Sequence, residues 1–185
     1  MILKYKCLRT NIFFNNNFSL EVIQKKEIEE IRIWRNLNID VLRQKKIINK
    51  KQQYNYFKNN IWSDLDKKKP KNILFSFKKN SKLIGYGGFV HISWENNRSE
   101  ISFLLSNSKN INKDYIKKFN YFLKIIEDIA FDHLNFNKIY TETFIERKKH
   151  IKILEKFGFK KEGLLKKQYF FKNRFIDTVL HGYIK

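Results

Sequence analysis

Between residues 72 and 105 three strand-length runs follow one another, and a long amphipathic run comes directly after them. The three are NILFSFK (72–78), KLIGYGGFVHIS (82–93) and RSEISFLL (98–105). The segments between them, KKNSK and WENNR, suit antiparallel hairpins. From about 113 to 132, Ile116, Phe119, Leu123, Ile126 and Ala130 recur every three or four residues, the spacing of one helix face. A meander followed by such a helix demands a sheet with helices packed on it.

The flanking segments extend this pattern. FSLEVIQ (18–24) reads as an opening strand. Helices are predicted over 26–36, with Ile28, Ile31 and Trp34 in step, and over 50–62, with Tyr54, Phe57 and Ile61 on one side. NKIYTETF (137–144) is a strand, and KKHIKILEKF (148–157) a short helix closed by Gly158 at a C-cap position. A closing hairpin is predicted from 166–173 and 175–184, turned at KNRF. The predicted fold class is therefore α/β (α+β). It is a single mixed, mostly antiparallel twisted sheet flanked by helices, in one domain over 1–185.

Composition bounds the function. A chain of 185 residues has room for one hydrophobic core. Cys7 is the only cysteine, so an intrachain disulfide is excluded and a reducing, cytoplasmic setting is expected. Four scattered histidines and one cysteine give no metal-ligand spacing, and no metal is expected. No run approaches the roughly 20 apolar residues of a membrane span, and the first twenty residues lack the pattern of a signal peptide.

The formal net charge is +21. That charge attracts polyanions and anionic small molecules. A chain saturated with Lys, Asn, Ile and Phe, with one Pro and six Gly, also fits drift toward A/T-rich codons, which is the favoured origin of the charge. Nucleic acid is thus a possible partner but not the favoured one.

The order of elements, ending in ILEKFGFKKEG, resembles the GNAT family of N-acetyltransferases. IYTETFIERKKHIKILEKFGFKKEGLL matches that family's closing strand and short helix. IRIWRN, DVLRQKK, ILFSF, LIGYGGFVHISWENNRSEISFLL and FIDTVLHG resemble a branch that holds ribosomal-protein and sugar-amine acetyltransferases. The likeness starts near residue 18. It implies acetyl-CoA as co-substrate and a small-molecule amine acceptor. The acceptor is expected to be an amino sugar or nucleotide-linked amino sugar of surface-polysaccharide synthesis, and the protein a monomer or homodimer.

One loop and three single positions depart from the family pattern. The Gly-rich pyrophosphate loop is replaced by SNSKNINKDYIKKF, which has no glycine. The family's later Asn and Ser fall on Arg147 and His150, and its frequent Tyr acid falls on Leu154. Backbone amides at the helix start, with Lys113, Lys117, Lys118, Arg147 and His150, are the expected phosphate ligands. By the resemblance, the pantetheine arm would run beside Phe103, Leu104 and Leu105.

Direct transfer needs a base to take a proton from the amine. Glu100 is the first candidate, because alternation sets its carboxylate into an otherwise apolar strand. The bland alternative is a strand-end Glu paired with Arg98. His91 is the second candidate, against a partly buried histidine satisfied by a carbonyl. His133 is explained by the helix dipole, and His181 by packing. Gly85, Gly87 and Gly88 are expected to form a bulge that shapes the acceptor side. Trp34, Arg35, Asn36, Arg43, Trp94 and Arg98 are the expected acceptor contacts, with Trp34 competing as core. Two other functions stay open. One is acetylation of a protein N-terminus. The other is a non-catalytic RNA- or protein-binding module that uses lysine-rich runs with Tyr169 and Phe170 between them.

Overall fold

The computed structural model describes residues 3–185. Its elements in chain order are β1 (Ile12–Asn15), β2 (Phe18–Val22), α1 (Ile28–Leu37), α2 (Lys50–Asn60), β3 (Ile73–Lys79), β4 (Lys82–Ser93) and β5 (Arg98–Leu105). There follow α3 (Lys113–Asp128), β6 (Lys138–Phe144), α4 (Lys148–Phe157), β7 (Lys160–Phe171) and β8 (Arg174–Ile184). The eight strands form one sheet in the order β1-β2-β3-β4-β5-β6-β8-β7. Every neighbouring pair is antiparallel except β5 and β6, which run parallel.

α3 forms where the periodicity placed it. Asn112 Oδ1 accepts from the Tyr115 N–H at 2.9 Å and caps the first turn. Tyr115, Phe119, Phe122, Leu123, Ile125 and Ile126 are its buried face. Each such side chain contributes about 1.5–3 kcal/mol on full burial. Ile116, predicted on that face, stays exposed, as does Tyr54 on α2. The last predicted turn, Ile129–His133, winds as one π turn. Phe122 meets Phe77 and Phe103 edge-on or tilted at 5.6 and 4.5 Å, so α3 is set directly against the central strands.

Three expectations need correction. First, β1 went unpredicted; it is four residues long and is joined to β2 through Asn16, whose φ is +54°. Second, β7 starts at Lys160 rather than 166. Register shifts at Lys161/Gly163 and Leu165/Tyr169 break the alternation by which a strand is recognised. Third, the bulge expected at the glycine cluster is present only at its leading edge, where the pairing with Phe77 and Lys78 skips Ile84 beside Gly85. Gly87 and Gly88 sit in regular pairs with both neighbouring strands. A Cβ on Gly87 would stand 2.8 Å from the Phe122 ring, so the glycine is what admits α3. A second irregularity of β4 lies further on, between Val90 and Ser93, where His91 takes φ +52°. Gly158 closes α4 at φ +125°, as expected.

Candidate active site

β5 and β6 pair through only three residues each, Arg98–Lys138, Ser99–Ile139 and Glu100–Tyr140. Beyond Glu100 they part, and a cleft opens between them. Ser102 and Phe103 line one wall, Thr141 and Thr143 the other, with Phe119 of α3 and His150 of α4 also facing it. Parallel strands that separate in mid-sheet leave main-chain donors and acceptors without a strand partner, which an extended ligand can satisfy.

Glu100 stands at the apex of this V, 5% exposed. Burial pushes its carboxyl above the ordinary carboxylate range; Arg43 and His91 pull it down, and Glu142 adds to the rise. His91 Nε2 lies 3.8 Å from Glu100 Oε2, and the imidazole is exposed rather than half-buried. The bulge at His91 turns this side chain toward its neighbour strand's carboxylate. The two predicted bases are thus brought together.

Arg43 does not stand free to meet a diphosphate. Its Nη1 donates to Glu142 Oε2 at 2.8 Å and its Nη2 donates to Glu100 Oε1, so one guanidinium joins the two strands that part. Thr178 Oγ1 donates to the other Glu142 oxygen at 2.9 Å. The Tyr169 hydroxyl, from the β7–β8 hairpin, donates to the Arg43 carbonyl. Glu142 and Tyr169 enter here without having been foreseen as partners of this site.

A second hollow lies on the other side of Arg43. Arg35, Tyr56, Lys71, Tyr86, His91 and Tyr169 line it. Arg35 is held by Tyr86 Oη at 3.1 Å and Gln44 Oε1 at 3.0 Å. Asn36 acts from behind, clamping both the N–H and the C=O of Ile48. Trp34 is core. Trp94 and Arg98 line neither hollow: the indole donates to the Pro70 carbonyl at 2.8 Å, and the guanidinium lies over the Tyr140 ring. The hairpin turn carries them away from the cleft.

The expected coenzyme contacts divide in the same way. Phe103 lines the cleft, whereas Leu104 and Leu105 are buried behind it, and the Leu105 N–H is already taken by Ser108 Oγ. His150 is not a solvent-side phosphate ligand. It is buried, stacked on Phe119 at 4.5 Å, with Nδ1 2.9 Å from the Tyr115 hydroxyl. Burial first, and then the Arg147 charge, hold its pKa well below the ordinary value. Lys118 is tied to Asp114 at 2.5 Å. Lys113 joins Lys149, Lys152 and Lys156 around an apolar hollow floored by Ile116 and Ile153. Lys117 lines neither this hollow nor the cleft.

Polar atoms left over in the cleft suit a polar ligand. Thr141 Oγ1 and Arg147 Nε are buried without a hydrogen-bond partner, and both residues line it. Arg147 Nη2 lies 3.4 Å from the Tyr115 hydroxyl. Together with the lysine-rimmed hollow between α3 and α4, these groups fit a ligand with amides along its length and phosphates at its far end.

The buried His150 gives a stability prediction. The unfolded chain takes a proton near pH 6.5, and the folded one only well below it. The unfolded state therefore binds more protons in that interval, and stability rises with pH there. Melting temperature should hold above about 6.5 and fall progressively below it. His150→Gln should flatten that decline, as read by thermal melts across pH.

Residues 20–180 match the profile of the acetyltransferase (GNAT) domain. An uncharacterized N-acetyltransferase, p20, of Bacillus licheniformis is 32% identical over 111 residues. That match spans 58% of each protein, so the chain covers little more than half the length of this curated relative. Among solved structures, spermidine N-acetyltransferase from Vibrio cholerae, in complex with CoA and spermine, superposes with a TM-score of 0.77 at 19% identity. The superposition covers 92% of this chain and 96% of that one. A microcin C7 self-immunity acetyltransferase, in complex with acetyl-CoA and AMP, gives 0.72 at 17% identity, over 92% and 94%. At these identities the likeness speaks for the fold. The parting parallel strands and the profile match along nearly the whole sheet lead to one assignment: this chain belongs to the GNAT acetyltransferase family.

Proposed function

We propose that the protein is an acetyl-CoA-dependent N-acetyltransferase whose acceptor is a primary amine on an amino sugar, carried on a nucleotide. The observation that carries the reading is Glu100. It is a buried carboxylate with a raised pKa at the apex of the cleft, with a second hollow beside it. Bound acetyl-CoA would supply the acyl group as a thioester. The β5 edge at Phe103, Thr141 Oγ1 and Arg147 would hold it in the cleft, and Lys113, Lys149, Lys152 and Lys156 would hold its phosphates.

The chain's own residues handle the protons. An amine arrives as an ammonium ion and must lose one proton before it can attack. Glu100 takes that proton. His91, 3.8 Å away and open to solvent, passes it out. The second proton, shed as the amide forms, leaves with the departing thiol.

The acceptor hollow supports a nucleotide-linked sugar. Tyr56, Tyr86 and Tyr169 offer rings and hydroxyls to a sugar or base, and Arg35 and Lys71 offer charge to a diphosphate. The net charge of +21 works against a polycation as acceptor and in favour of an anion that carries one amine. The solitary cysteine supports a cytoplasmic setting.

Calorimetric titration with acetyl-CoA, and with CoA for comparison, is the first test. Saturable micromolar binding is expected. A panel follows: a nucleotide-linked amino sugar, the free amino sugar, spermidine and a peptide with a free N-terminus. The first should give the highest kcat/KM. Preference for the peptide would move the protein to N-terminal acetylation. Absence of acetyl-CoA binding up to millimolar concentration, with salt-sensitive binding to RNA, would make it a binding module.

A further inference from the structure

Arg43 is the partition between the cleft and the acceptor hollow, since it lines both. An amine that enters the hollow and reacts in the cleft must pass the place where the guanidinium sits. The two carboxylates it bridges are inner groups, with side chains 7% and 13% exposed, while the Arg43 side chain is 33% exposed. The arginine thus enters from the solvent side and plugs a preformed acidic seat.

We propose that Glu100 and Glu142 form the seat for the acceptor's ammonium group, and that Arg43 fills it in the free protein as an internal stand-in. The proposal rests on the acetyltransferase reading and deepens it, by naming what the acceptor must bring and what it must displace.

Chemistry favours the exchange. A guanidinium and an ammonium carry the same charge, so the swap leaves the net charge around the two buried carboxylates unchanged. An isolated loss of Arg43 would not. An ammonium has three donors. Glu100 and Glu142 accept two of them. Thr141 adjoins Glu142 on β6 and so projects from the opposite face of the sheet, which leaves its unpartnered Oγ1 to the coenzyme side of the cleft.

The plug is a side chain on a held backbone. Arg43 lies in the stretch between α1 and α2, just past the short helical turn Ile39–Val41. Its backbone is held by the Tyr169 hydroxyl of the β7–β8 hairpin, and Lys172 of the same hairpin pairs with Asp40 at 2.8 Å. Asp40 also pairs with Lys109 at 2.9 Å, and the residue after Arg43, Gln44, is buried with bonds to Arg35, Asn36 and the Lys46 carbonyl, so only the Arg43 side chain has to swing. The seat also selects. Glu100 and Glu142 welcome one compact cation and reject a phosphate or carboxylate, so the anionic part of an acceptor stays in the hollow beside Arg35 and Lys71.

Apparent acceptor affinity is reduced by the fraction of molecules whose seat is open. If the seat is open about a tenth of the time, Arg43→Ala should lower the acceptor KM about tenfold, with kcat not reduced. Arg43→Lys should fold as the parent does. Its single ammonium bridges the two carboxylates less well, so its KM should fall between the two. A binding measurement stands apart from turnover. Methylguanidinium should raise the melting temperature of Arg43→Ala but not of the parent, and the added change Glu142→Gln should remove the effect. A raised KM in both Arg43 variants, or no response of Arg43→Ala to methylguanidinium, would overturn the proposal. No acetyl transfer by the parent to any amine would instead sink the acetyltransferase reading. The methylguanidinium result would still judge the seat.

Discussion

Glu100→Gln is expected to lower the acetyl transfer rate by about 10²- to 10⁴-fold, the range associated with a positioned general base. The substitution keeps the shape and most of the hydrogen bonding of a side chain that accepts from Arg43. Acetyl-CoA affinity, read by calorimetry, and the melting temperature should therefore stay close to those of the parent. The pH profile supplies a second check. Burial sets the Glu100 carboxyl above the ordinary carboxylate range. The parent's rate should fall as the pH drops through that raised value and the base becomes protonated. The variant should lose this acid limb together with its rate. An unchanged rate would remove Glu100 from the chemistry.

Gly88→Ala is expected to cost about 4 kcal/mol or more, the exceptional end of single-substitution effects. Gly88 has φ +145°, a conformation that L side chains rarely adopt. Its added Cβ would stand 2.1 Å from the Ile73 carbonyl oxygen and 3.1 Å from Leu74 Cα. Neither neighbour can yield, because β3 is bonded on one side to β2 and on the other to β4. Denaturant unfolding should show the midpoint collapse, or the variant should fail to accumulate as folded protein. Near-parental stability would mean that β3 and β4 tolerate a separation that their pairing does not suggest.

Periodicity carried most of the fold. The strands β3 to β6 and the helices α3 and α4 stand within a few residues of where alternation and helical spacing put them, because each buries a continuous face. The shape of the cleft was not legible. Nothing in RSEISFLL or KIYTETF distinguishes strands that stay paired from strands that part after three residues, since separation is decided by what packs behind them. Glu100 stood out as a carboxylate in an apolar strand. Its bond to Arg43, a residue expected as an acceptor contact, was not legible, because that bond joins residues 57 apart in sequence and the Glu142 bond spans 99. His150 is different, for its place could have been read. It shares its face with Ile153 and Leu154, at helical spacing, and that face is the buried one.

The three-residue stitch between β5 and β6 has a mechanical consequence. Each far end is bonded only to its outer neighbour, Leu105 to Gly85 of β4 and Phe144 to Thr178 of β8, so a relative opening of β5 and β6 would be a rotation about the joined end, as in shears. Points at the pivot travel least, and points at the tips travel most. Glu100 is the last stitched residue of β5, whereas Leu105 and Phe144 are at the tips. Widening the blades to admit or release a long ligand therefore leaves the proton-accepting group nearly stationary. Chemistry at the pivot is insulated from traffic at the tips.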